Sequence, residues 1–250
     1  MIVLRSDSEL QKMITAGRIS GEALALAGSM VAPGVSTGEI DDAVRKFIRK
    51  SGAEPNFLGY CGYPNSCCIS INNEVIHGIP KKSRIIKEGD IVSIDVGAIK
   101  DGYNGDNAAT FPAGKISTEA EKLLRVTSEC LERAIAVSYE GNRLGDIGYA
   151  VQSHAEANGF SVVRKYVGHG IGEDMHESPD VPNYGTPGKG IRLVSGMMIA
   201  IEPMINAGSY EVNDNSKDGW LVVTADGSLS AHFEHSVAIT KNGNIILTKI

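Results

Sequence analysis

Two segments of this chain, 107 positions apart, share one pattern and constrain the fold more than any other feature. Residues 89–95 read Gly-Asp-Ile-Val-Ser-Ile-Asp and residues 196–202 read Gly-Met-Met-Ile-Ala-Ile-Glu, so each has a turn glycine, an apolar strand and a final carboxylate. The pattern predicts two half-domains that share one core, with Asp95 and Glu202 at related positions on facing strands. The same offset matches further pairs: Gly34 with Gly141, Gly38 with Gly145, Ile40 with Ile147, Ala43 with Ala150, Val44 with Val151, and Gly52 with Gly159.

Hydrophobic periodicity predicts the order helix, helix, strands twice along the chain. Helices are predicted over 8–31, 37–52, 118–137 and 144–158, with Thr37 as the N-cap of the second. Strands are predicted over 67–75, 91–96, 162–166, 197–201, 220–224, 233–240 and 245–248. A chain of 250 residues can bury one substantial core, and no segment has the composition of a linker. We expect one domain over residues 1–250, with internal halves of approximately 1–110 and 111–250.

Charge and hydropathy argue against several classes of protein. The net charge is −6 and the basic runs are brief, such as residues 81–84, whereas nucleic-acid binders carry a basic stripe. We therefore expect no DNA binding, and at most a transient contact with a polyanion such as the ribosome. The first ten residues cannot form a signal-peptide core, and no run of eighteen apolar residues occurs. We expect a monomer in the cytoplasm, without membrane association.

Two carboxylates interrupt or end apolar strands. Asp95 lies in Ser-Ile-Asp-Val-Gly and Glu202 in Ile-Ala-Ile-Glu-Pro-Met. An ionised carboxylate in such a strand costs several kcal/mol unless it is paired, hydrogen-bonded or metal-bound. For either residue alone, a role in capping the strand end or in pairing with a lysine is the more ordinary interpretation.

Three further segments favour a metal site over those separate interpretations. Asp106 is predicted in a glycine-rich turn over 102–106, where a side chain can be directed at a ligand. His169 and His176 bracket a second glycine-rich stretch, and Glu234 lies in Phe-Glu-His-Ser. Five such segments are much less easily explained without a metal than any one of them alone.

These motifs, taken in order, resemble the type I methionine aminopeptidases of the pita-bread fold over nearly the whole chain. The resemblance implies an α+β fold of two pseudo-symmetric halves, with helices covering a curved antiparallel sheet. The matching segments are Val-Ile-His-Gly-Ile-Pro at 75–80, Ile-Asp-Val-Gly at 94–97, Gly-Asp at 105–106, Gly-His-Gly-Ile-Gly at 168–172, Met-His-Glu at 175–177, Ile-Glu-Pro-Met at 201–204 and Glu-His-Ser at 234–236.

The resemblance also implies a pair of divalent metal ions. Asp95 and Asp106 would chelate or bridge the ions, His169 and Glu202 would complete the shell of one ion, and Glu234 would bridge both. The charge count agrees, because four carboxylates balance two divalent cations, whereas without metal the cluster would repel itself and raise its own pKa values.

The same resemblance assigns the chemistry. Glu202 is the expected general base, His176 would stabilise the carbonyl oxygen, and His77 would hydrogen-bond the scissile amide nitrogen. The substrate would be the N-terminal methionine of nascent polypeptides with a small uncharged second residue. An apolar slot for the methionine side chain has six expected walls: Phe57, Tyr60, Tyr63, Cys68, Met175 and Trp220.

Three positions depart from the family pattern, and none is an expected metal ligand. Cys61 and Asn104 stand where histidine is frequent, and Ala200 stands where threonine is common. One alternative is a proline-directed peptidase of the same fold, such as prolidase, although those enzymes usually carry an additional N-terminal domain. A second alternative is a binding protein that reuses the fold without metal, although such proteins lose ligands that this chain retains.

Overall fold

A computed structural model describes residues 2–250 and contains four α-helices in that range, all close to their predicted positions, and one 3-10 helix (Tyr60–Gly62). Ser6 and Ser36 start the first two helices with capping boxes. Each serine hydroxyl accepts a hydrogen bond from the amide of the glutamate three residues on, and the side chain of that glutamate accepts one from the serine amide. Thr37 is therefore the first helical residue, and its prediction as the N-cap was wrong by one position. The helices are α1 (Asp7–Ser29), α2 (Thr37–Lys50), α3 (Thr118–Ala136) and α4 (Leu144–Ala157).

The strands of the described residues pair only in antiparallel fashion and form four sheets. The first sheet combines β1, β2, β4 and β5, the second β6, β10 and β13, the third β3, β11 and β12, and the fourth β7, β8, β9, β14 and β15. The strands are β1 (Glu54–Pro55), β2 (Cys67–Ile71), β3 (Glu74–Ile76), β4 (Ile91–Lys100), β5 (Tyr103–Pro112), β6 (Ser161–Val162), β7 (Gly168–Gly170), β8 (Glu177–Val181), β9 (Met198–Ile201), β10 (Met204–Asn206), β11 (Val212–Asn213), β12 (Val222–Thr224), β13 (Ser230–His232), β14 (His235–Thr240) and β15 (Gly243–Ile246).

One strand prediction and one turn prediction in the first half were wrong, and both errors affect the site. The single strand predicted over 67–75 is divided into β2 and β3 by a turn at Asn72, whose φ of 59° is a conformation that asparagine tolerates. The turn predicted around Asp106 is instead the long strand β5, paired with β4 over its whole length. Gly105 allows this strand to touch helix α1, because a Cβ at that position would lie 2.5 Å from the Cα of Gly17.

The strand predictions in the second half differ mainly in their ends. The strand predicted over 197–201 is β9, while those predicted over 162–166 and 220–224 are shortened to β6 and β12. The last predicted strand, over 245–248, is displaced towards the turn as β15. The strand predicted from residue 233 begins only at His235, so that Glu234 lies between β13 and β14.

The offset of 107 residues recurs in the backbone. Helix α4 begins and ends 107 positions after α2. The isolated bridge Ser36–Ile85 has its counterpart in Arg143–Arg192 at the same offset. The corresponding strands differ, however, because β4 is continuous while its counterpart is divided into β9 and β10. The boundary between halves near residue 110 stays a prediction.

Each half has its own large apolar cluster, and the site lies where the halves meet. The first cluster is built mainly from α1, α2, β2 and β4, and the second mainly from α3, α4, β9 and β14. Between them, the Glu234 amide donates to the Ala108 carbonyl oxygen at 2.8 Å, which joins β5 to the second half. None of the helices within residues 2–250 has the length and apolar content that a membrane span requires.

Candidate metal centre

The first half presents two carboxylates on one face of the β4–β5 hairpin. Asp95 lies opposite Ala108, and Asp106 lies opposite Gly97, two residues further along β4. Because residues i and i+2 of a strand share a face and opposed residues do as well, the two side chains lie diagonally across from each other. Gly97 contributes no side chain between them, and Asn56 occupies the space that a Cβ there would fill.

The second half supplies the other three predicted ligands from short strands or strand ends. His169 is the central residue of β7, and Glu202 directly follows β9. Glu234 connects β13 to β14 and is held by its backbone pairing with Ala108. The Ser236 hydroxyl bridges the halves beside it, since it donates to the Asp106 carbonyl oxygen at 2.8 Å and accepts from the Asp106 amide at 3.1 Å.

These side chains converge. Asp106, His169 and Glu234 each offer a ligand atom that lies within 4.8 Å of the other two. Glu202 joins this group, because its Oε1 lies 3.6 Å from His169 Nε2. The fold also brings Asp95 to the same cavity of about 190 Å³, which all five predicted ligands line together with His77 and His176.

The carboxylates are held in an environment that opposes their charge. Burial raises the pKa of Asp95, Asp106, Glu202 and Glu234, and for Asp95, Glu202 and Glu234 the neighbouring carboxylates raise it further. Buried oxygens of Asp95, Asp106 and Glu234 have no hydrogen-bond partner in the described residues. Unsatisfied buried carboxylate oxygens are costly, and divalent cations would satisfy them, so this residue set fits a metal site.

The imidazoles of the site are neutral at pH 7. Burial lowers the pKa of both His77 and His169 to about 4, and burial also lowers the pKa of His176. His169 has Nδ1 at 2.9 Å from the Gly170 carbonyl oxygen. A carbonyl oxygen can only accept, so Nδ1 carries the hydrogen and Nε2 retains the lone pair that a metal ligand needs.

His77 has a backbone conformation that is uncommon for a residue with a side chain. It follows β3 with a φ of 62°, and strained residues of this kind cluster at functional sites. The next residue, Gly78, fits tightly, because a Cβ there would lie 2.2 Å from the Ile69 carbonyl oxygen. The Ser70 and Tyr63 hydroxyls bond to the backbone of Gly78 and hold the turn in place.

An apolar pocket opens beside the ligands. Five of the six predicted walls form one cluster, in which Tyr63 meets Trp220 edge to face at 5.0 Å: Phe57, Tyr63, Cys68, Met175 and Trp220. The sixth predicted wall, Tyr60, lines the same cavity but is 38% exposed at its mouth. All four cysteines are free thiols, and of these Cys61 and Cys68 line the cavity.

One residue near the carboxylates was missed by the sequence argument. His232 is 2% exposed, its Nε2 lies 3.6 Å from Glu202 Oε2, and this nitrogen has no hydrogen-bond partner in the described residues. A signal was present in the sequence, because His232 precedes Glu234 by two residues, the spacing that places two side chains of an extended segment on one face.

Two other missed residues hold the segment that carries Met175 and His176. Arg5, whose side chain is 4% exposed, forms ion pairs with Glu177 and with Glu173. Asn104 donates through Nδ2 to the carbonyl oxygens of Gly172 and Glu173, at 3.0 Å and 2.9 Å. The departure from the family pattern at Asn104 is thus used as a clamp between the halves. No local pattern could have revealed contacts that span 68 or more residues.

Comparisons with known proteins agree over the full chain. Residues 11–241 match metallopeptidase family M24. A methionine aminopeptidase from Clostridium perfringens is 54% identical over 250 residues, which is 100% of both chains. The crystal structure of a methionine aminopeptidase from Thermotoga maritima superposes with a TM-score of 0.98 at 46% identity, again over 100% of both chains. A prolidase from Pyrococcus furiosus shares the fold, with a TM-score of 0.79 at 23% identity, and this chain covers 66% of it.

Proposed function

This chain belongs to metallopeptidase family M24, and on that basis we propose that it removes the N-terminal methionine from peptides and nascent proteins. The family resemblance and the pita-bread fold predicted from the sequence are thereby confirmed. The chain is a metal-dependent hydrolase. The observation that carries the proposal is an apolar pocket that opens directly onto a cluster of four carboxylates and one imidazole.

The proposed cofactor is a pair of divalent ions, Mn²⁺, Fe²⁺, Co²⁺ or Zn²⁺. Its proposed ligands are Asp95, Asp106, His169, Glu202 and Glu234. Two observations support a pair: two divalent charges balance four carboxylates, and three of these carboxylates have buried oxygens without a partner in the described chain. Bound divalent ions supply the Lewis acidity that lowers the pKa of a water and polarises a carbonyl group.

The protein's own groups then move protons and orient the peptide. Glu202 lies at the edge of the ligand cluster and is the proposed base, which accepts a proton from the attacking water and passes it to the departing amine. His176 donates a hydrogen bond to the carbonyl oxygen as negative charge develops there. His77, held in a strained turn, hydrogen-bonds the scissile amide nitrogen as that nitrogen becomes tetrahedral and its lone pair is freed, which aids departure of the amine. The carboxylates also attract a free α-amino group, which limits cleavage to chain ends.

The apolar pocket is proposed to hold the methionine side chain. Met175 and Cys68 give it polarisable sulfur atoms, and Phe57, Tyr63 and Trp220 give it aromatic walls. Apolar pockets distinguish side chains that differ by one methylene by only about 1–3 kcal/mol. Discrimination against leucine or norleucine should therefore be incomplete. The preference for a small uncharged second residue is part of the same proposal and rests on the family.

The decisive experiment compares peptides and metals in one assay. Metal-free protein is supplied separately with Mn²⁺, Fe²⁺, Co²⁺ or Zn²⁺ and offered Met-Ala-Ser, variants of its second residue, and Xaa-Pro peptides. We expect metal-dependent release of methionine, fastest when the second residue is small. Preference for the Xaa-Pro peptides would instead assign the chain to the proline-directed peptidases.

The same preparation tests the alternative of a binding protein without metal. Metal content is measured after gentle dialysis, with Asp106→Ala as the matched control. Wild-type protein that retains no more metal than the variant, and that releases no methionine, would support a binding function.

For partners and location we propose a cytoplasmic monomer that meets nascent chains with at most a transient ribosome contact. The short basic run over 81–84 has little free charge, because Lys82 pairs with Asp42 at 3.4 Å and Arg84 pairs with Glu74 at 2.7 Å. Such a loop can contribute only a weak, salt-sensitive attraction to a polyanion. Cosedimentation with ribosomes at rising salt tests this, and binding that persists at 0.5 M salt would contradict it.

A further inference from the structure

Two histidines of the site lie side by side and must perform opposite tasks. The rings of His169 and His176 have their centroids 4.3 Å apart at an angle of 55°. On the proposed function, His169 needs a lone pair on Nε2, whereas His176 needs a hydrogen on the nitrogen that faces the substrate. A neutral imidazole has one hydrogen to place, and the partner of Nδ1 decides which nitrogen carries it.

For His169 the partner of Nδ1 allows only one tautomer. The Gly170 carbonyl oxygen, 2.9 Å from Nδ1, can only accept a hydrogen bond. For His176 the partner is different, because Nδ1 lies 2.8 Å from the Tyr60 hydroxyl. A hydroxyl can donate or accept, and an imidazole nitrogen is a better acceptor than a phenol oxygen. Burial raises the pKa of Tyr60, so the hydroxyl keeps its hydrogen at neutral pH.

The position of Tyr60 separates it from the other predicted pocket walls. It is exposed at the mouth of the cavity and lies outside the buried apolar cluster that the other five walls form. Its ring is 5.3 Å from that of His176, and its hydroxyl makes no other side-chain or backbone hydrogen bond within the described residues. The hydroxyl is thus directed at His176, while the ring adds little to the apolar wall.

We propose that Tyr60 is a positioning residue, whose hydroxyl donates to Nδ1 of His176 and holds that imidazole with its hydrogen on Nε2. Neighbouring imidazoles are then fixed in opposite tautomers, one as a lone-pair donor and one as a hydrogen-bond donor. The tautomer is inferred from the Tyr60–His176 contact and the acceptor strength of the imidazole nitrogen, and its importance for turnover rests on the proposed function. Substituting Tyr60→Phe removes only the hydroxyl and retains the ring.

The first test uses metal-free protein labelled with ¹⁵N-histidine. Long-range ¹H–¹⁵N spectra show which ring nitrogen carries the hydrogen, and His176→Ala assigns the signal. We expect His176 to have the hydrogen on Nε2 in the wild type, and a mixture of tautomers in Tyr60→Phe. A hydrogen on Nδ1 of His176 in the wild type would overturn the proposal.

The second test uses turnover of a Met-Ala peptide at saturating metal. Tyr60→Phe should lower kcat about tenfold, the effect of one hydrogen bond, and change KM less than about twofold. In a His176→Ala background the same substitution should have no further effect. Tyr149→Phe, which removes the hydroxyl of an exposed tyrosine on α4, is the matched control.

Equal losses in both backgrounds, or a rise in KM at unchanged kcat, would show that Tyr60 is only a pocket wall. Failure of the proposed function is distinguishable, because wild-type protein without methionine release would contradict that function and leave the tautomer measurement intact.

Discussion

Strand β4 runs unbroken past Asp95, whereas the strand 107 residues later divides at Glu202 into β9 and β10. Asp95 is paired on both sides, with Cys68 on β2 and Ala108 on β5. Glu202 is followed by Pro203, which has no N–H to continue a ladder, and Glu234 also lies between two strands. The first half thus presents its carboxylates from a continuous hairpin, and the second half presents them at interruptions.

This difference suggests a division of labour between the halves. Register fixes Asp95 and Asp106, since neither can move without breaking ladder hydrogen bonds along β4 and β5. The backbone constrains the position of a side chain less at a strand end than within a strand. This suits the proposed double role of Glu202 as a metal ligand and a proton carrier. On the proposed function, the first half would locate the ions and the second half would supply the mobile proton.

The largest expected effect is on metal affinity, and it distinguishes residues that hold the ions from the residue that carries the proton. Asp106→Asn removes a ligand and should weaken metal binding by more than about 100-fold, because even residues that only support ligands cost about 10–100-fold. Glu202→Gln should weaken binding as well and also remove the proton carrier. Titration calorimetry gives the metal affinity, and kcat is measured on a Met-Ala peptide at saturating metal.

At saturating metal we expect Asp106→Asn to regain part of its activity and Glu202→Gln to stay inactive. The reverse order, with Glu202→Gln recovering and Asp106→Asn inactive, would contradict the division of labour.

The contrast also explains what the sequence could reveal. Helices α2 and α4 were predicted to within two residues, because capping signals and periodicity are local. Strand β5 was missed, because glycine and asparagine near Asp106 are typical of turns. What makes this segment a strand is its pairing with β4 and the contact of Gly105 with Gly17, which lies 88 positions earlier. Tertiary context overrides local propensity there.

The proposed ligand set could be selected from the order of its motifs, but the residues that support it could not. For the buried imidazole of His232, the one signal in the sequence was its position two residues before Glu234. The hydroxyl of Tyr60 reaches His176, which lies 116 positions later. The prediction of Tyr60 as a wall of the apolar pocket did not include that contact. The proposed metal ligands carry a family pattern, whereas the residues that orient the site are defined only by the fold.

A second comparison concerns the two histidines outside the ligand set, because His77 comes from the first half and His176 from the second. Replacing either by Ala should lower kcat by roughly 10²-fold, the usual loss on removal of a transition-state hydrogen-bond donor. Metal content, measured after dialysis, should barely change. Bound metal that falls in step with activity would mean that the substituted histidine supports the ions instead.

Removing the metal should make the free energy of unfolding depend on the ionisation of the four buried carboxylates. Their folded-state pKa values are raised, to about 7 for Asp106, so the folded protein binds more protons than the unfolded chain. Stability from these groups is present at low pH and is lost as pH rises through the folded pKa. Buried histidines act oppositely, since their pKa values are lowered to about 4, but above about pH 7.5 they are almost fully neutral in both the folded and the unfolded chain.

The carboxylate contribution can therefore be measured without interference from the histidines between about pH 7.5 and 8.5. Metal-free protein should lose about 1.4 kcal/mol per pH unit for each carboxyl that remains protonated there, and its Tm should fall by several degrees. With saturating metal the carboxylates are ionised throughout, and this fall should disappear. A metal-free Tm that rises across the window would contradict the raised pKa values. Calorimetry at matched ionic strength measures both series.

The smallest expected effect tests whether the halves unfold together. Gly52 and Gly159 end α2 and α4 with φ values of 70° and 84°. Both close a Schellman motif: the amides of Ala53 and Phe160 donate to carbonyl oxygens five residues earlier, at 3.2 Å and 3.0 Å. Alanine at either position should cost about 1–2 kcal/mol through the left-handed conformation. Asn, which tolerates this conformation, is the matched control and should cost less.

If the chain is one cooperative domain, each alanine variant should shift a single denaturant transition by a similar amount. The double variant should show the sum, because distant sites are additive. Two transitions, with Gly52→Ala moving only one and Gly159→Ala only the other, would show halves that unfold independently. The carboxylates of the metal centre would then be held together by the seam at Ala108 and Glu234 and by bound metal, so that added metal should merge the two transitions into one.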